Sequence, residues 1–190
     1  MKRESGAVSG ESRTYPMVST ALMAAVTCVL APVVIPIGVI PISITNFVIF
    51  CSLYLLGWRR ATVSYVIYLM IGMVGVPVFS GFTGGVGKLA GPTGGYLIGF
   101  IPMAVLAGIG IASTNRRLLH ILAMAGATLV AYLFGTAWFC IQMNSTLGAA
   151  LGTCVIPFLP WDLGKILVVS AMGPMLRERL KKAGLPSMKR

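Results

Sequence analysis

Apolar runs about as long as a bilayer is thick recur along nearly the whole chain, and no other feature constrains the fold so strongly. Between Thr14 and Met175 the only formally charged residues are Arg59, Arg60, Lys88, Arg116, Arg117, Asp162 and Lys165. A water-surrounded domain carries roughly 25% charged residues; here the figure is 10%, with 57% hydrophobic residues and a mean hydropathy of +0.91. A single core of 190 residues cannot hide that much apolar surface, so lipid must be the solvent.

Scanning for stretches that can cross a hydrocarbon layer of about 30 Å gives six candidate spans, at approximately 15–33, 42–58, 61–76, 93–113, 118–140 and 161–180. Only Gly57-Trp58-Arg59-Arg60 separates the second from the third, and paired arginines between two apolar runs favour a tight interfacial turn over one long buried helix. The expected fold is therefore an all-α integral membrane protein, a bundle of six transmembrane helices. Its expected organisation is an N-terminal tail at 1–14, a membrane domain at 15–180 and a basic tail at 181–190.

The excess of positive charge, +11 overall, gives the orientation. Lys2, Arg3, Arg13, Arg59, Arg60, Arg116, Arg117 and every cation from Arg177 onward fall on one side of the alternating spans, and Lys88 alone falls on the other. By the positive-inside rule the crowded side is cytoplasmic, with both termini there. In a soluble protein such a charge would suggest nucleic acid; cations paired between apolar runs read as cytoplasmic loops instead, so no nucleic-acid partner is expected. No apolar segment followed by a small-residue cleavage site precedes Tyr15, so the first span is expected to direct insertion itself.

The outer segments are then 34–41, 77–92 and 141–160, rich in Gly and Pro and almost uncharged. Non-helical backbone at membrane depth is tolerated only where protein buries it or where it lines a cavity. Three such loops on one side imply a lidded pocket near the outer surface.

Within that frame, Pro160-Trp161-Asp162-Leu163-Gly164-Lys165 is the strongest chemical signal. Asp162 is the only acid between Thr14 and Met175, and in a helix Lys165, three residues on, projects from the same face. Ionisable groups at membrane depth are functional candidates by default; the plainer reading is a carboxylate complementing a helix N-terminus, with Lys165 as its counter-ion. The run from Phe79 to Tyr96 is the second signal. Its spacing matches neither the P-loop nor the dinucleotide fingerprint, because Gly87-Lys88 is followed by Leu89 and Gly85-x-Gly87 lacks the third glycine. What remains is either a plain glycine turn or a wall whose Ser80, Thr83, Gly84, Gly85, Thr93 and Tyr96 line a polar site. Lys88, the only outer cation, either attracts an anionic ligand or lies in water.

Other features carry less. Ala21 and Ala25 form a small-xxx-small face through which helices can approach closely, within the bundle or against a partner. His120 has no ligand-spaced partner and reads as a solvated interfacial residue. Cys28, Cys51, Cys140 and Cys154 show no CxxC pairing and read as small hydrophobes. No metal site, no cofactor and no catalytic set is expected: metal-dependent phosphoryl transfer or aspartyl proteolysis would want two intramembrane carboxylates, and the stretch between Thr14 and Met175 offers one.

The run Gly91-Pro92-Thr93-Gly94-Gly95-Tyr96-Leu97-Ile98-Gly99-Phe100 closely resembles the hallmark of the BioY family, the biotin-specific substrate-binding components of energy-coupling factor transporters. Pro41-Ile42-Ser43-Ile44 resembles that family's first outer loop, Tyr68 to Phe79 its third helix and exit, and Pro157 to Lys165 the entry to its sixth helix. The resemblance implies a compact six-helix bundle that binds biotin beneath the outer loops. Asp162 and Lys165 correspond to polar residues the family uses on biotin, and Tyr96 belongs to the other wall. Ala21-xxx-Ala25 is similar to the face that meets a transmembrane coupling subunit, and two cytoplasmic ATPases complete the implied assembly. Two departures bear on the hydrogen-bond set: Ser43-Ile44-Thr45 stands where members commonly have Thr-Leu-Gln, and Phe82 where others offer an amide. A related component for another vitamin, a membrane enzyme or a structural bundle are the competing readings.

Overall fold

The computed structural model describes residues 14–36 and 40–182. The expected tails, apart from the helix ends at Thr14 and Lys181–Lys182, and the centre of the first outer loop lie outside the described residues. Seven helices and one two-stranded ribbon follow in the order α1 (Thr14–Leu30), β1 (Val34–Ile35), β2 (Ile42–Ser43), α2 (Thr45–Met73), α3 (Val86–Ala90), α4 (Gly94–Ser113), α5 (Arg117–Met143), α6 (Leu147–Cys154) and α7 (Leu159–Lys182).

The second and third expected spans are the two limbs of α2, which meet at a kink where the sequence placed a turn. Gly57 adopts φ 74° and ψ 165° and divides α2 into limbs at 45–56 and 58–73. That conformation is open essentially to glycine alone, which is why the kink occurs there and not at the neighbouring Trp58. The Arg59 guanidinium then lies 5.1 Å from the centre of the Trp58 ring, a cation–π contact that gives the charge a partner at the break.

The other helix boundaries follow local chemistry. α5 ends at Asn144, whose left-handed backbone (φ 47°) sends its N–H to the Cys140 carbonyl, a closure that Asn tolerates better than other side-chain-bearing residues. Pro160 sits in the first turn of α7, where a missing N–H costs nothing. Inside the helices, the hydroxyls of Thr20, Thr27, Thr62 and Thr128 each donate to the carbonyl four residues earlier at 2.8 Å. An apolar surrounding offers them no water, so the backbone satisfies them.

α4 and α5 pack most extensively, α2 lies against α1, α4 and α7, and α7 closes on α5. The core centres on Phe50, Tyr65, Tyr68, Phe79, Met103 and Met124, all fully buried. Large apolar side chains elsewhere face outward, Leu22, Leu118, Leu133 and Ile141 among them, which is the disposition that lipid rewards and water penalises. Helices α4 and α5 are each long and apolar enough to cross a membrane, and α6 with α7 to Arg179 forms a third, bent candidate with an angle of 45°.

Two expectations need correction. The outer segments are more ordered than loops: β1 and β2 pair antiparallel across the first, and the last contains the two-turn helix α6. Elements this short are hidden in the sequence because their packing partners stabilise them, not their own propensity. His120 is not a solvated interfacial residue. It is buried, with one ring nitrogen 3.0 Å from the Tyr54 hydroxyl and the other 3.0 Å from the Thr114 carbonyl, because α5 brings it onto the inner face of the bundle, where a polar ring needs both partners.

Candidate ligand-binding site

The first turn of α7 carries Asp162, buried despite its charge, and Lys165 one turn below it. Burial of a carboxylate is tolerable only with full compensation, and here each lone pair in use has a named donor. Oδ1 accepts from the Asn46 side-chain amide at 2.8 Å and from Lys165 Nζ at 3.0 Å; Oδ2 accepts from the Tyr132 hydroxyl at 2.7 Å. Lys165 is equally well served. Its ammonium donates to Asp162 Oδ1, to Asn46 Oδ1 at 3.0 Å and to the Ser43 carbonyl at 2.6 Å. The ammonium has three protons and three acceptors, whereas a carboxylate can take about four donors and this one holds three. Spare capacity therefore rests with Asp162.

Asn46 links the two members of this cluster, although nothing in the sequence singles it out. It stands at the second position of α2, its side-chain oxygen also accepting the Phe47 N–H at 3.0 Å. In that orientation the amide presents its NH2 to Asp162 and its oxygen to Lys165. A polar residue at the outer start of an apolar span was the available signal. Tyr132, in the middle of α5, carried no such signal, since a tyrosine within an apolar helix reads as core.

The cluster opens into a cavity enclosing about 640 Å³ of empty space, its solvent-open mouth included. Ser43, Thr45, Asn46, Tyr132, Asp162 and Lys165 line it with polar groups from β2, α2, α5 and α7. Further parts of the wall come from Tyr68 of the second limb of α2, Ser80, and Thr93, Tyr96 and Phe100 around the start of α4. Tyr96 is fixed from two directions. Its hydroxyl donates to the Cys154 carbonyl at 2.8 Å, and its ring stands edge-on to Tyr132 with centroids 6.5 Å apart. The ring lies so close over Gly135 that a Cβ at that position would collide with it; glycine is required there by close approach, not by backbone angle.

Of the residues singled out in the sequence, the structure brings Asp162, Lys165, Tyr96, Ser80 and Thr93 together around the cavity. It does not bring Thr83, Gly84, Gly85 or Lys88 to its wall. Thr83 is exposed, bridges to Phe79 through the backbone and donates its hydroxyl to the Ser80 carbonyl at 3.0 Å. Gly84 packs against the carbonyls of Gly75 and Val76, and Gly85, at φ 88°, donates its N–H to Gly72 at 2.7 Å. These residues fasten the loop to the end of α2. Lys88 lies half-buried in α3, and partial desolvation pushes its ammonium below the ordinary lysine value. Ala21 and Ala25 share an exposed face of α1, while Ala24 between them is buried.

Among the described residues no group of three or more His, Cys, Asp or Glu side chains could hold a metal ion. The arrangement offers one carboxylate with acceptor capacity, hydroxyl donors and aromatic walls, which suits a small ligand bearing both N–H donors and oxygen acceptors.

The sequence matches the BioY family model over residues 2–182. It is 31% identical over 166 residues to biotin transporter BioY2 of Lactococcus lactis subsp. cremoris, covering 85% of this chain and 90% of that one. It is 34% identical over 161 residues to the probable biotin transporter BioY of Pyrococcus horikoshii, covering 85% and 93%. The fold superposes with a TM-score of 0.81, at 25% identity, on the crystal structure of the S-component for biotin from an ECF-type ABC transporter, over 90% of this chain and 95% of that one. Matched along nearly its whole length in sequence and in fold, the chain belongs to the BioY family.

Proposed function

We propose that this protein is the biotin-binding substrate component of an energy-coupling factor transporter. The observation that carries the reading is the buried Asp162 cluster opening into a cavity lined by polar and aromatic side chains; the names of the matched relatives support the same ligand. Biotin's ureido group has two N–H donors and one carbonyl, and the rest of the molecule is an apolar bicycle with a short acidic chain. Asp162 accepts a ureido N–H with its remaining lone pair, and Tyr96 and Phe100 pack the bicycle. Lys165 neutralises and orients Asp162, and it reaches a ligand oxygen only by exchanging one of its three present acceptors.

In this reading the chain crosses a bacterial plasma membrane six times, through α1, the two limbs of α2, α4, α5 and α7, with residues 15–180 as the membrane domain and both tails cytoplasmic. It binds biotin but neither binds nor hydrolyses ATP, since its glycine loop lacks nucleotide-binding spacing. A transmembrane coupling subunit, docked on the Ala21–Ala25 face, and two ATPases drive release to the inside.

Titration of the detergent-purified chain with radiolabelled biotin, with thiamine and riboflavin as controls, is the test. Stoichiometric, biotin-selective binding without turnover is the expected result; a folded sample that binds no biotin, or prefers another vitamin, overturns the proposal.

A further inference from the structure

Two side-chain oxygens on the cavity wall have no hydrogen-bond partner. The Tyr68 hydroxyl belongs to a fully buried residue, and the Thr93 hydroxyl oxygen is likewise shut off from solvent. A hydroxyl buried without a partner costs free energy comparable to a lost hydrogen bond, and such groups are rare enough to need a reason. The ion cluster beside them leaves nothing comparable, because every proton of Lys165 and most of the capacity of Asp162 are used within the protein.

Thr93 adds a second anomaly. It occupies the N-cap of α4, a 20-residue helix, yet its side chain makes no capping bond. A threonine there ordinarily turns its oxygen back to the helix N–H groups; this one keeps its O–H available at the end of a helix whose dipole favours negative charge. Tyr68 is held in place by its neighbours, its ring 5.5 Å from that of Tyr65 and 5.7 Å from that of Phe79. Its hydroxyl is therefore preorganised as a donor.

Resting on the biotin reading, we infer that Tyr68 and Thr93 are specificity-determining residues that donate hydrogen bonds to the ligand's carboxylate at the N-terminus of α4. The ligand then spans the cavity with its ureido end on Asp162 and its acid on these two hydroxyls. A neutral ligand of the same shape forfeits the second contact.

The test uses the purified full chain and two ligands, biotin and an analogue in which a methyl group replaces the carboxylate. Tyr68→Phe and Thr93→Val each weaken biotin binding about tenfold, as loss of one hydrogen bond to a charged group does, and leave the analogue unchanged. Thr93→Ser restores biotin binding. Without ligand, Tyr68→Phe melts no lower than the parent protein, since it deletes a group with no partner. Biotin affinity within twofold of the parent in Tyr68→Phe, or equal loss for both ligands, overturns the assignment. Failure of the parent chain itself to bind biotin overturns the function reading beneath it.

Discussion

Single residues set the chemistry of the site. Asp162→Asn removes the charge that Lys165 neutralises and leaves an ammonium buried with only neutral acceptors. A hydrogen bond to a charged group is worth about 1.5–3 kcal/mol, so losing the charged acceptor should lower biotin affinity about ten- to a hundredfold in equilibrium titration. Asn46→Ala loses the bridge between Asp162 and Lys165 and should weaken binding about tenfold. Because Asn46 and Asp162 share one network, the double variant should lose less than the two single losses combined; strict additivity would mean that they act independently. Thr83→Ala gives the contrasting outcome. Its hydroxyl serves the loop and not the cavity, so biotin affinity should stay within about twofold of the parent.

At the scale of elements, the broken helix α2 is the part most dependent on one position. Gly57 holds a backbone conformation that a Cβ makes unfavourable, and a residue forced into it stores about 1–3 kcal/mol of strain. Gly57→Ala should therefore lower the melting temperature of the purified chain, measured by tryptophan fluorescence; an unchanged melt would mean that the two limbs can straighten without cost. The sequence already marked this break, through a glycine followed by Trp58 and two arginines. Helix α6 and the β1–β2 ribbon were not legible in the same way. A segment of eight residues cannot hold a helix alone, and α6 exists because Ala150 and Cys154 bury themselves against α5 and the Tyr96 hydroxyl takes a carbonyl from its end.

For the whole molecule, the decisive matter is how it sits in the membrane and what it meets there. Ala21 and Ala25 lie on an outward face of α1, so Ala21→Leu or Ala25→Leu should impair uptake by the assembled transporter while leaving biotin binding to the isolated chain intact. Equal loss of both would place the face inside the bundle's own packing. The proposed orientation is checked with single cysteines on a cysteine-free background. Position 88 should react with an impermeant maleimide in intact cells, and position 116 only after permeabilisation. The reverse pattern would invert the bundle.

The distribution of charge by itself determined the solvent, the bounds of the apolar segments to within a few residues and the one acid–base pair they contain. Those properties depend on residue type and spacing along the chain, and the cost of placing a charge in lipid is large whatever the fold. Only the tertiary structure decided how that pair is used. Asn46 and Tyr132 lie 116 and 30 residues from Asp162 in sequence, and no local periodicity connects them; packing of α2 and α5 on α7 does. The same packing sent Thr83, Gly84, Gly85 and Lys88 away from the cavity, turned Ser80 and Tyr96 toward it, and left Tyr68 and Thr93 with protons to give.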